Sequence, residues 1–372
     1  MTSSEGTPGA LDGVVVADFS RILAGPYATM MLADLGAQVI KVERPGIGDD
    51  TRSWGPPFAA NGQSTYFQSI NRNKVSVTCD LSTRRGRDQA AGIIAGSDVL
   101  VENFKPGTLD RMGLGFADLH QQMPRLVMCS ISGFGTDEGK HLPGYDLLVQ
   151  AMGGLMSVTG SHPGDPTKVG VALVDVVTGL HATVGILAAL RHRDITGQGQ
   201  HVEVNLLSSL LSGLVNQAAS VVGAGKVPGI LGNAHPSIAP YAVFTTADGP
   251  MVLAVGNDAQ FASLVVQLGA PELADDHRFR TNPQRVAHRL ELEAIINQRL
   301  MVKDSALWQR ELSAVGVPCG PINDVGQAID LAAALGLDPI ADAEGVPVVR
   351  NPIRLSATPA QYRLAPPDHA AD

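Results

Sequence analysis

Between Gly13 and Ile131, short β-branched runs alternate with stretches of helical length, and this alternation limits the possible folds more than any other feature of the chain. Gly13–Phe19 (GVVVADF) is an apolar run of strand length. Gly25–Pro26 opens a helical stretch to about Leu35, and Gly36 stops it. Gln38–Glu43 (QVIKVE) reads as the next strand, Thr83–Gly96 as a helix, and Asp98–Val101 and Leu126–Ile131 as further strands. Strands separated by helices run in the same direction, so the pattern predicts an α/β architecture, a parallel sheet covered by helices on both faces. Helices at about Val176–His192 and Leu206–Val222 complete this half.

After the Gly/Pro-rich stretch Gly223–Pro240 the pattern changes. Tyr241–Thr246 and Met251–Val255, joined through Asp248-Gly249, predict a β-hairpin, because Asp-Gly supplies the turn. Helical patterns near Ala259–Leu268, Leu290–Leu300 and Ser305–Val315 complete a smaller α+β unit, and the tail from about Asn351 is Pro-rich and irregular. A length of 372 residues suits two domains. With 44% hydrophobic and 17% charged residues, there is material for a sizeable core.

A net charge of -9 and only 4% aromatic residues argue against nucleic acid as a partner. Cys79, Cys129 and Cys319 form no CxxC pair, which excludes a disulfide framework and the common zinc spacing and predicts a reducing, cytoplasmic setting. The start, MTSSEGTPGA, has no basic segment leading into an apolar one, so no secretory signal is expected. Val204–Gly225 lacks charge but carries Asn205, Ser208, Asn216 and Gln217, which predicts a buried helix rather than a membrane span. Generic motifs fail. Gly135–Lys140 is one residue short of a phosphate loop, Gly223-Ala224-Gly225 lacks a third glycine at the dinucleotide offset, and there is neither HExxH nor GxSxG.

Four longer stretches are more specific. Leu11–Arg52 carries a strand, an AGP turn, a helix and KVERPGIGD; Asn71–Asp80 reads NRNKVSVTCD; Val101–Gly115 reads VENFKPGTLDRMGLG; Val169–Leu190 reads VGVALVDVVTGLHATVGILAAL. In this order, and continuing through GNAHPSIAPY (Gly232–Tyr241) and GVPCGPI (Gly316–Ile322), they resemble the family III CoA-transferases over nearly the whole chain. The resemblance implies a Rossmann-like large domain made of residues 10–222 and a returning segment, 321–372, with a small α+β domain at 225–320 between them. It also implies a homodimer of interlocked subunits. The substrates would be an acyl-CoA, with succinyl-CoA as a possible donor, and a small carboxylic acid, with coenzyme A as part of the substrate, no permanently bound cofactor and no metal.

Residue by residue, the resemblance makes Asp175 the nucleophile that attacks the thioester, giving first an aspartyl anhydride and then an aspartyl-CoA thioester. Placed where a helix begins, Asp175 would be favoured in its ionised form by the helix dipole. Asp146, in PGYDLLVQAMGG, is the second acidic candidate of the site. The local pattern around Asp175 would also produce an N-cap, and that around Asp146 suits an N-cap of the helix beginning at Leu147 equally well. Arg44, Lys74, Asn103, Phe104 and Arg111 match positions that bind CoA, while a phosphate-binding lysine of the family is replaced by Pro143. The loop Gly229–Pro240 keeps two glycines, Gly229 and Gly232, and its His235 either meets the acceptor or caps a turn. The competing activity within the family is racemisation of 2-methylacyl-CoA, which needs a histidine where this chain has Tyr145. Tyrosine, with a pKa near ~10, is a poor base at neutral pH. A catalytically inactive CoA-binding protein is the remaining alternative.

Overall fold

The computed structural model describes Pro8–His369. Residues 1–7, where the reading of the N-terminus begins, lie outside the described residues. The chain divides into two compact units. One comprises the residues up to Leu155, Lys168–Val227 and the chain from Asp338; the other comprises Met156–Thr167 and Pro228–Leu337.

The first unit is built on a parallel sheet of six strands, β1 Val15–Asp18, β2 Gln38–Glu43, β3 Lys74–Thr78, β4 Val99–Glu102, β5 Val127–Ser132 and β6 His201–Asn205. Their spatial order is β3-β2-β1-β4-β5-β6, so the order reverses between β1 and β4. The helices are α1 Ala24–Asp34, α2 Thr65–Ile70, α3 Arg84–Ala95, α4 Phe116–Gln122, α5 Asp146–Met152, α6 Leu173–Thr196, α7 Leu206–Gly213 and α8 Val215–Ala224. Alternate residues of the central strands enter different apolar layers. Val16, Val101, Cys129 and Ile131 pack with Leu32, Ile186 and Leu190, whereas Ala17, Leu100 and Met128 pack with Ile94 and Leu119. Burial on both faces is why these strands read as unbroken apolar runs.

The two strands of this sheet absent from the sequence reading, β3 and β6, are its edges. Their sequences, KVSVT and HVEVN, alternate between apolar and polar residues and leave most side chains only partly buried. Helix α6 starts at Leu173, earlier than expected, so Asp175 lies inside it. The helix expected over Leu206–Val222 is two helices bent by 84°, with Val215 at a φ of 40°. By length and apolar composition α6 is able to span a bilayer. Here Val174, Ala182, Ile186 and Leu190 of α6 are core residues. A Cβ at Gly179 would stand 2.6 Å from the Ala24 carbonyl, so glycine lets the start of α1 lie against α6.

The second unit holds the predicted hairpin, β7 Tyr241–Thr245 and β8 Pro250–Ala254, and five helices, α9 Asp258–Gln267, α10 Asn282–Ala287, α11 Arg289–Leu300, α12 Ser305–Ala314 and α13 Val325–Ala334. A third strand, β9 Cys319–Pro321, pairs antiparallel with β8. That pairing keeps the chain in this unit beyond residue 320, so 321–337 belong here rather than to the returning segment expected at 321–372. In the first unit, β10 Ile340–Ala343 and β11 Val346–Val349 form a hairpin. The tail is then tied down by Asn73, whose Oδ1 accepts the N–H groups of Arg363 and Leu364, and by Arg52, which donates to the Pro367 carbonyl at 3.0 Å.

Candidate active site

In an open parallel sheet, ligands bind beyond the strand C-termini where the strand order reverses. Three adjoining hollows of the first unit lie there. The first, about 490 Å³, is lined by Arg44, Cys79, Ser82, Phe104 and Met112 among others. The second, about 900 Å³, runs from Asn103, Phe104 and Arg111 past Lys140 to Asp175. The third, about 380 Å³, brings Trp54, Tyr66, Tyr145, Asp146, Lys168 and Asp175 together. Phe104 is shared by the first two hollows, and Asn103 and Asp175 by the second and third.

Four of the five residues expected to bind CoA line this cleft. Arg44, after β2, is exposed and donates to Asp50 at 2.6 Å. Arg111 is exposed and donates to Thr108 Oγ1 at 3.1 Å. Phe104 lies under the Arg21 guanidinium, 5.5 Å from the ring centre. Asn103 accepts from the Arg21 N–H at 2.9 Å and donates to the Arg21 carbonyl at 2.8 Å, so its amide braces the turn after β1. Lys74 is the exception. Its ammonium is fully buried, donating to Asp18 Oδ2, the Pro26 carbonyl and Asn71 Oδ1 at 2.9–3.0 Å. With its three donors engaged, it shapes the strand end and offers a phosphate nothing. The NRNK match places it among the CoA-binding residues, but the side chain points under the first turn of α1, which carries Pro26.

The two acidic candidates do meet. Asp175 is the third residue of α6, whose N-cap position is Ala172, a residue with no side chain able to cap. Asp146, the first residue of α5, supplies that cap from another helix: its Oδ1 accepts from the Val174 N–H at 2.9 Å and the Asp175 N–H at 3.3 Å. Its Oδ2 accepts from Gln150 Nε2 at 2.6 Å. Neither aspartate therefore caps its own helix. The Asp175 carboxylate accepts no hydrogen bond among the described residues, and burial followed by repulsion from Asp146 pushes its pKa up to about 7. This reverses the dipole expectation, since desolvation and a second carboxylate outweigh the partial charge of a helix end. Burial, Asp175 and Asp146 also push Tyr66 up to about 12, so its phenol stays protonated beside them.

Sequence reading missed Arg21, Tyr66, Trp54, Lys140 and Lys168, all cleft residues. Lys140 lies three residues before Pro143 and faces the same hollow. His235, in the second unit, accepts the Ser237 N–H on Nδ1 at 3.1 Å, the turn-capping role. Among the described residues no group of three or more His, Cys, Asp or Glu is placed to hold a metal.

Known proteins resemble this chain in sequence and fold. The CoA-transferase family III profile matches residues 11–372. Succinyl-CoA:glutarate CoA-transferase of Mus musculus is 46% identical over 87% of this chain and 74% of its own length. Succinate–glutarate CoA-transferase of Agrobacterium fabrum is 43% identical over 99% of this chain and 94% of its own. The crystal structure of a CAIB/BAIF family protein from Brucella suis, 42% identical, superposes with a TM-score of 0.88 over 98% of this chain and 97% of that one. With a carboxylate pair at the head of a cation-bearing cleft, the parallel sheet beneath it and this match over the full motif set, the chain belongs to the family III CoA-transferases.

Proposed function

We propose that this enzyme exchanges CoA between succinyl-CoA and a second carboxylic acid through covalent intermediates on Asp175. One observation carries the reading: a carboxylate that accepts no hydrogen bond among the described residues, with its pKa pushed up to about 7, stands where two of the hollows meet. A carboxylate that accepts no hydrogen bond and is partly desolvated is a stronger nucleophile than one in water. Ionised Asp175 attacks the thioester carbonyl; the C–S bond breaks, and a mixed anhydride and CoA thiolate form. The thiolate attacks the aspartyl carbonyl, the donor acid leaves, and an aspartyl-CoA thioester remains. The acceptor carboxylate then repeats the sequence in reverse and carries CoA away. Asp146 is a positioning residue, holding the first turn of α6 and keeping the Asp175 pKa high. The first hollow, with Arg44 and Phe104, suits the nucleotide end of CoA, and Arg111 and Lys140 in the second suit its anionic groups.

The donor assignment rests on the names of the two enzymes above. An exposed tyrosine, Tyr145, at the position where racemisation needs a histidine favours transfer over Cα proton exchange. A homodimer is supported by α8, which buries none of its residues and leaves Val215 and Val222 exposed. A cytoplasmic setting is supported by the three free cysteines. The decisive experiment is hydroxylamine trapping during turnover with succinyl-CoA, followed by peptide mass spectrometry. A hydroxamate at Asp175 is expected; turnover without any modified aspartate would overturn the covalent route.

A further inference from the structure

The hollow around Asp175 has two cationic side chains in its lining, Arg21 and Lys168. Arg21 is engaged: its guanidinium lies over Phe104 and stands 3.6 Å from Asp50. Lys168 is exposed and donates only to the carbonyl of its own neighbour, Val169, at 3.2 Å. It has no carboxylate partner among the described residues, and both oxygens of Asp146, which lines the same hollow, accept hydrogen bonds from other groups.

The backbone that carries this ammonium is held in place. The Val169 N–H donates to Gln150 Oε1 at 2.9 Å, and the same fully buried glutamine donates to Asp146. Asp146 in turn holds the N–H groups of Val174 and Asp175. One buried amide thus couples the segment bearing Lys168 to the helix end bearing Asp175. The result is an ammonium with no ion pair among the described residues, carried by an anchored backbone segment and lining the same hollow as Asp175. The anionic groups of CoA have other cations in the second hollow, Lys105, Arg111 and Lys140.

We infer that Lys168 binds the free carboxylate of a dicarboxylic acyl group and so makes this enzyme select dicarboxylic over monocarboxylic substrates. The inference rests on Asp175 being the site of CoA transfer. Once one end of a diacid is a thioester or anhydride, the other end keeps its charge, while a monoacid brings none. Donor and acceptor acids occupy the same hollow in turn, so a single lysine reads both.

The test compares chain-matched pairs, succinyl-CoA against butyryl-CoA as donors and glutarate against valerate as acceptors, in the wild type, K168M and K168R. A lost charge-assisted hydrogen bond at a partly exposed site lowers discrimination by roughly 10- to 100-fold. The ratio of kcat/KM for diacid over monoacid is therefore expected to fall by that factor in K168M for donors and acceptors alike, and to recover in part in K168R. Because the readout is a ratio, a smaller fraction of folded variant cancels. Equal losses for diacid and monoacid, or an unchanged ratio, would overturn the role of Lys168 while leaving CoA transfer intact. Failure of the wild type to transfer CoA between any of these pairs would overturn the transfer reading itself, and this assignment with it.

Discussion

Asp18 and Asp175 stand in the same unit and meet opposite electrostatic fates. Burial raises the pKa of both. At Asp18, on the last residue of β1, Lys74 and Lys41 and the hydroxyls of Ser20 and Thr29 overcome burial and bring the pKa to about 2. Asp175 has no such partner; its nearest charged influence is another carboxylate, and it rises to about 7. The buried cations Lys41 and Lys74 thus secure the strand ends beside the cleft, whereas the carboxylate proposed as the nucleophile is left uncompensated. A charge that is fully paired builds the frame, and a buried charge left poorly paired is a candidate for chemistry.

The largest effect is expected where the comparison is broken at the proposed nucleophile. Asp175→Ala should lower transfer by at least roughly a thousandfold without lowering the urea midpoint, since it removes a carboxylate that folding disfavours. Steady-state rates and denaturant titration on the same preparation check both halves. At the framework end, Lys74→Met leaves Asp18 buried without its main partner and should cost roughly 3–5 kcal/mol of stability, read from urea unfolding. Adding Asp18→Asn to that variant should recover part of the loss. A Lys74→Met protein as stable as the wild type would mean that the buried pair does not secure the frame.

A smaller effect tests the cause of the raised pKa. As the proposed nucleophile, Asp175 must be ionised to attack, so kcat/KM is expected to rise with pH through about 7 and level off above it. Asp146→Asn keeps an oxygen for the Val174 and Asp175 N–H groups but removes the repelling charge, so this rise should move to lower pH. An unmoved profile would assign the shift to burial alone. The smallest effect concerns Tyr145. Neither the wild type nor Tyr145→His should incorporate deuterium at Cα of a 2-methylacyl-CoA in heavy water, because two-base exchange needs a partner base as well. Incorporation by the wild type at a rate near that of transfer would favour racemisation.

How much of this was legible in the residues depends on the range of the interactions concerned. QVIKVE and the stretch Arg84–Ala95, capped by Thr83, declare a strand and a helix because apolar periodicity and capping act within a few residues. β3 and β6 escaped because an edge strand needs no continuous apolar run. The break at Leu214–Val215 escaped because both sides of it are equally apolar. In the site, Asp175, Asp146, Arg44, Asn103, Phe104 and Arg111 are found through motifs, yet Lys74 was misplaced and Lys168 overlooked. No local pattern tells a lysine under a turn from a lysine in a cleft.

The sequence by itself determined the alternating α/β plan, the membership in a CoA-transferring family and the identity of the acidic residues at its centre, since each is written in short-range pattern or in motif. Only the tertiary structure decided what those residues are electrostatically. Asp146 caps a helix 28 residues further along the chain, Lys74 neutralises an aspartate 56 residues before it, and burial beside Asp146 lifts Asp175 towards neutrality. Charge, desolvation and capping act through space over a few ångströms, and the fold alone sets which distant residues come within that range.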